Sequence, residues 1–222
     1  AVDPESATSV EIGYKTELFT GHLRLNAAAF YTEYDDLQVA TITSAAVSLE
    51  NAAQADIAGV EMDFSAAIGA YIDLYGSFGY LDATYGDFEG CPAGGAIATT
   101  PLSNCDGQFL NLAPEYTASL GGLFTYPLDS SLGNFVVGLD FSYRSEVFFE
   151  PQNEARLSGD DRSLLNARTG FSNDRWSVFI WTKNLTDETY VNFADDRSAI
   201  LVNTTQAYGP PRSYGVTLRV SY

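Results

Sequence analysis

The chain has 222 residues and a formal charge of −18, with 11 Lys and Arg against 29 Asp and Glu. That balance excludes general nucleic-acid binding, which needs a basic surface, and the absence of any run of about 18 apolar residues excludes an ordinary transmembrane helix. Fourteen Tyr and 14 Phe are interleaved with the acids, the composition of a folded, strand-forming chain and not of a disordered acidic tail. Ala1 is preceded by no Met and followed by no basic or apolar leader, so the start is expected to be a cut within a longer sequence.

The predicted elements alternate with period two. Val10, Ile12, Tyr14, Thr16 and Leu18 oppose Glu11, Gly13, Lys15 and Glu17. After a tight turn at 19–21, Leu23, Leu25, Ala27, Ala29 and Tyr31 oppose Arg24, Asn26 and Thr32. Val60, Met62, Phe64 and Ile68 then oppose Glu61, Asp63 and Ser65, and Ile72, Leu74, Phe78 and Tyr80 oppose Asp73, Tyr75 and Ser77. Tyr116, Ala118, Leu120, Phe124 and Tyr126 face away from Glu115, Thr117, Ser119 and Thr125. Phe135, Val137, Leu139, Phe141 and Tyr143 face away from Asp140, Ser142, Arg144 and Glu146. Shorter strands are predicted at 165–171 and 176–183, and the last alternation is Tyr214, Val216, Leu218, Val220 and Tyr222 against Ser213, Gly215, Thr217, Arg219 and Ser221.

This makes an all-β chain, an antiparallel up-and-down meander of about nine strands. Short turns near 19–21, 69–71, 127–133 and 173–175 alternate with long polar stretches near 35–54, 87–109, 149–162 and 186–209. A meander orders its connections this way when all long loops emerge at one end, whereas Greek-key sandwiches do not. Alternation alone does not say which face is outside. Strand length, aromatics toward strand ends (Tyr14, Tyr31, Tyr80, Tyr126, Tyr143, Trp176, Tyr222) and the loop asymmetry favour a membrane barrel with a wet lumen. The alternatives are a small complete outer-membrane barrel (a porin, adhesin or barrel enzyme) and a soluble β-rich binding module. Nine strands is odd, and bacterial single-chain barrels are even-numbered.

The side chains that carry chemistry are few. Cys91 and Cys105 bracket "CPAGGAIATTPLSNC". A disulfide in an oxidising compartment is the preferred reading, and two free thiols are the alternative. The spacing is unlike a zinc site. His22, the only histidine, is read as a rim residue beside a short turn and not as a catalytic base. Asp35–Asp36, Asp160–Asp161 and Asp195–Asp196 fall at loop positions, as hard-oxygen calcium ligands or as solvated loop; none fits an EF-hand loop and no metal ligand is assigned. "NLT" at Asn184 and "NTT" at Asn203 match a glycosylation pattern, but Asn184 is better read as the top of a strand. Lumen-facing Arg24, Arg144, Arg168, Lys183 and Arg219, with Glu11, Glu61, Asp63, Asp73, Glu115 and Asp140, imply ion pairs or a hydrated charge ladder. Phe148, Phe149, Phe193 and Tyr208 are the best candidates for ligand contact in the loops.

"WSVFIWTKNLTDETY" followed by "GPPRSYGVTLRVSY" resembles the ending of TonB-dependent outer-membrane receptors. "LRLNAAAFYTEYDDLQV", "AGVEMDFSAA", "YGSFGYLDATY", "LAPEYTASLG" and "LLNARTGF" are similar to phrases of that family's barrel. The resemblance implies the C-terminal part of a roughly 22-stranded transmembrane β-barrel, with residues 1–222 a partial barrel domain and the plug domain, TonB box and N-terminal strands outside it. It further implies uptake of a scarce nutrient, most often a ferric siderophore, across the outer membrane of a Gram-negative bacterium. The protein is then a receptor and not an enzyme, without a resident cofactor. The partners implied are the bilayer with its lipopolysaccharide, the TonB complex through the N-terminal region, and the barrel-assembly machinery. That machinery reads the terminal strand with Tyr214, Val216, Leu218, Val220 and Tyr222, and the Cys91–Cys105 loop falls on the extracellular side.

Overall fold

A computed structural model describes residues 2–42, 47–91, 103–128, 131–196 and 204–221. Its main feature is one antiparallel sheet of nine strands in sequence order. These are β1 (Ser6–Leu18), β2 (Leu23–Ile42), β3 (Val47–Ile68), β4 (Ile72–Tyr85), β7 (Tyr116–Pro127), β8 (Asn134–Arg144), β11 (Arg162–Ser172), β12 (Trp176–Lys183) and β15 (Ser213–Val220). Short pairs stand in the long connections: β5 (Glu89–Cys91) with β6 (Ser103–Asn104), β9 (Val147–Phe148) with β10 (Ser158–Gly159), and β13 (Val191–Asp196) with β14 (Thr204–Tyr208). The sheet is not closed, since β1 and β15 each have one neighbour.

The short turns form where the sequence supplies turn chemistry. Gly69 adopts φ +62 between β3 and β4, a region open to glycine without steric cost. Between β11 and β12 the Asn173 side chain accepts from the amides of Arg175 and Trp176, both at 2.9 Å, an Asx turn. His22 lies in the β1–β2 turn, its Nδ1 2.7 Å from the Phe19 carbonyl and 3.3 Å from the Thr20 hydroxyl. It serves the turn.

The register carries one face unbroken from strand to strand. Tyr14, Ala27, Met62, Phe78 and Ala118 lie side by side, as do Phe171, Val178 and Leu218. Apolar groups on this face stay open: Ile12 is 76% exposed and Val216 67%. Nothing in the described structure packs on it as a second sheet, which a water-soluble sandwich requires. Tyrosine pairs mark its two ends, Tyr80 with Tyr116 and Tyr71 with Tyr126, each with ring centroids 5.3 Å apart. Tyr116 and Tyr126 are separated along β7 by about ten residues, which at about 3.4 Å per residue and about 40° of tilt spans about 26 Å. That matches the apolar band of an outer-membrane barrel, about 25 Å tall.

The opposite face is polar and is held by side-chain contacts across strands. Arg24 binds Glu17 at 2.8 Å, and Asn26 donates to Asp63 at 2.9 Å. The Ser77 and Ser119 hydroxyls meet at 2.7 Å, and the Tyr75 hydroxyl donates to Asp140 at 2.5 Å. Tyr75 reaches Asp140 by lying across Gly121, where a Cβ would stand 2.1 Å from its ring. Trp181 covers Gly215 in the same way, and its Nε1 donates to Thr217 at 3.1 Å. Large side chains therefore lie flat on the wall.

One expected loop is not a loop. The stretch 35–54 continues β2 and β3 as a tall hairpin up to Ile42 and Val47. A bulge between Tyr34 and Leu37, offset by another between Leu37 and Gln38, breaks the register and then restores it. Each bulge displaces the alternation by one residue, so the pattern reads as irregular although pairing persists. Asp36, at φ +57, and Asp35 belong to this bulge.

Replacing Gly121 with Ala should force Tyr75 off Asp140 and cost about 1–3 kcal/mol of folding stability. In a double-mutant cycle by denaturant unfolding in lipid vesicles, adding Tyr75→Ala should recover part of that loss. Strict additivity would refute the packing role.

Candidate functional site

The candidate loop residues gather at the long-loop end, where three loops are tied into one layer. The first rests on a small core of buried Ala53, Tyr85, Phe88, Cys91 and Cys105, with Leu37, Val39 and Leu110 packed against it. Cys91 and Cys105 form a disulfide with Cα atoms 5.8 Å apart. The disulfide therefore sits in apolar packing between the tall hairpin and β4, with Phe88 part of that core. Asp106 secures the loop: its carboxylate accepts from the Phe88 amide at 2.7 Å and from Asn104 at 2.9 Å. These two donors, the amide first, hold its pKa below the usual carboxylate value.

Residues 145–161 form the middle loop and bind both neighbours. Toward the first loop, Asn153 accepts from the Phe109 amide at 2.6 Å and donates back to the Phe109 carbonyl at 3.0 Å. Phe109 and Phe148 stack there, with centroids 6.3 Å apart. Toward the third loop, Phe149 meets Phe193 at 5.9 Å, and Arg156 donates to the Thr204 hydroxyl at 3.0 Å.

The third loop is fastened at its base, where residues 184–190 meet 209–212. Buried Asn184 donates to the carbonyls of Glu188 and Pro210 at 2.8 and 3.3 Å and accepts from the Glu188 amide at 2.8 Å. Asp187 accepts from the Arg212 amide at 3.0 Å, and the Tyr190 carbonyl accepts from the Gly209 amide at 2.9 Å. The "NLTDETY" and "GPPR" phrases are thus two halves of one fastener. This burial removes Asn184 as a glycan acceptor; Asn203 lies outside the described residues.

Of the four aromatics singled out in the sequence, Phe149 and Phe193 meet, while Phe148 pairs with Phe109 on the other side of the middle loop. Tyr208 pairs with Val191 across β13 and β14 and has no ring contact among the described residues, its hydroxyl donating to Gln206 at 3.2 Å. The sequence reading missed Tyr190 and Arg162, which stack with 4.6 Å from guanidinium carbon to ring centroid. Their spacing of 28 positions gave no local signal. Among the described residues, no group of three or more His, Cys, Asp or Glu side chains is placed to hold a metal. Tyr214, Val216, Leu218 and Val220 line one exposed face of β15; Tyr222 lies outside the described residues.

An antiparallel meander of nine strands in sequence order is the fold that the sequence reading expected. The model of the family described as TonB dependent receptor-like, β-barrel, matches residues 1–185. The chain belongs to that family. Among solved structures it is similar to the ferric yersiniabactin uptake receptor FyuA from Yersinia pestis, with 18% identity and a TM-score of 0.78. The siderophore receptor PiuA from Acinetobacter baumannii has 21% identity and a TM-score of 0.74. The ferripyoverdine receptor of the outer membrane of Pseudomonas aeruginosa has 16% and 0.68. The matches cover 98%, 98% and 99% of this chain but only 30%, 28% and 27% of those chains. This chain of the TonB-dependent receptor family therefore spans less than a third of each of them.

Replacing both cysteines with Ala should open the first loop by about 2–4 kcal/mol, read as faster hydrogen exchange over residues 85–91 and 103–110. Exchange unchanged from wild type would show that the apolar packing alone holds it. Because the folded-state pKa of Asp106 lies below its unfolded value, its contribution is present above about pH 4 and is lost as pH falls through the lowered value. Asp106→Asn should flatten that part of the pH dependence of loop exchange.

Proposed function

We propose that this chain forms part of the wall and the extracellular loops of an outer-membrane active-transport receptor for a scarce nutrient, a ferric siderophore. The observation that carries the reading is the match of nearly the whole chain to receptors named for siderophores, two of them for the ferric form, on a chain of the TonB-dependent receptor family. In this reading residues 1–222 are the C-terminal part of the barrel domain, the open edges of β1 and β15 pair with the remaining strands, and the plug fills the polar side. An unpaired edge presents a row of free amides and carbonyls, and barrel closure removes it.

The apolar face would lie in lipid, with lipopolysaccharide around the loop end. The Cys91–Cys105 loop would be extracellular, and Phe148, Phe149, Phe193 and Tyr208 would offer aromatic surface to the cargo. β15, with Tyr214, Val216, Leu218 and Val220, would be the strand that the assembly machinery reads, together with the Tyr222 that follows it in the sequence. Energy would come through the TonB complex, engaged by the N-terminal region, and no bond chemistry is asked of the chain.

The test is transport. Under iron restriction, a strain lacking the receptor should lose uptake of one radiolabelled ferric siderophore, and removing TonB should abolish that uptake in the wild type. Equal uptake with and without the receptor, across hydroxamate, catecholate and carboxylate chelates, would overturn the reading.

A further inference from the structure

Where the polar face meets the loop layer, Arg144 at the end of β8 and Arg162 at the start of β11 are direct cross-strand partners. Like charges placed opposite each other destabilise a sheet, and in a chain of net charge −18 such a pair would be expected to find carboxylates. It does not. Among the described residues neither guanidinium has an ion-pair partner. Glu146, Asp160 and Asp161, the nearest acids along the chain, are turned to solvent.

What holds the pair is weak and directional. Arg144 Nη2 donates to the Gly159 carbonyl at 3.4 Å, and its Nε is buried with no partner among the described residues. Arg162 Nη1 donates to Asn192 at 3.4 Å while its plane lies on Tyr190. Each guanidinium carries five N–H donors, so most remain open. Stacking on a ring fixes the plane of a guanidinium without using its N–H groups. Phe149 and Arg144 both approach Gly159, so Arg144 lies beside an aromatic side chain of the middle loop.

We propose that Arg144 and Arg162 form an oxyanion site at the lumen mouth, which takes a multiply charged anionic group of the cargo, a carboxylate or catecholate face of an iron chelate. Two adjacent guanidinium forks match such oxygens bidentately, and an arriving anion would relieve the repulsion between them. The inference rests on the siderophore reading above and sharpens it toward anionic chelates.

Four probes test it on the intact receptor in outer-membrane vesicles: a trianionic ferric tris-catecholate, ferric citrate, a cationic ferric tris-hydroxamate and iron-free pyrophosphate. Arg162→Gln and Arg144→Gln should each weaken binding of the anionic chelate that the wild type takes by about 10- to 100-fold. Arg162→Lys should recover part of the loss, and any binding of the cationic chelate should be unchanged. Heat-modifiable mobility would confirm that each variant is a folded barrel.

Unchanged affinity for the anionic chelate in both Gln variants would overturn the proposal and leave the siderophore reading standing. So would unchanged affinity with lowered thermal stability, which would mean that the arginines pair with a carboxylate elsewhere in the receptor. Arginine-dependent binding of pyrophosphate, with no chelate bound, would support the oxyanion site and overturn the siderophore reading. A wild type that binds none of the anions would overturn the site.

Discussion

Cross-strand register is the constraint on which everything else in this chain depends. Side chains alternate with period two, so a slip of one residue in any ladder would exchange the apolar and polar faces of that strand. The register is defended from the polar side: Tyr75 over Gly121 and onto Asp140, and Trp181 over Gly215 and onto Thr217, fit only when those glycines lie opposite those rings. Backbone pairing alone would tolerate a slip. The rings over glycine do not.

A second consequence concerns space. Because Tyr75 and Trp181 fold down over glycines, bulky residues can face the polar side without projecting far from it. The wall can be both held together by large side chains and left open for whatever occupies that side. The apolar side follows the opposite logic. Its aliphatic groups stay extended and uncovered, and its tyrosine pairs gather at two levels, as expected of a surface whose solvent is lipid bounded by two interfaces.

At the loop end the economy changes again. The buried side chains of the described structure concentrate here, around the disulfide, at Val147 and Leu157 in the middle loop, and at Ala194 in the third. Loops generally run over a surface with little packing of their own; these have small cores and reciprocal backbone bonds. A rigid rim loses less freedom on capturing a ligand, and at its base the β8–β11 register sets two arginines opposite each other.

Sequence by itself determined the nine strands, their two faces, the short turns and the family. Each depends on local signals: two-residue alternation, Gly69 and Asn173 at turns, and the phrases around Asn184 and Arg212. Continuation of β2 and β3 through residues 35–54 was hidden, because bulges break the alternation while leaving the pairing intact. The partners of Phe148, Phe149 and Phe193, the fastening of "NLTDETY" to "GPPR", and the meeting of Arg144 with Arg162 were decided only in three dimensions. Each joins residues at least 18 positions apart, through loop closures and a register that no local pattern encodes.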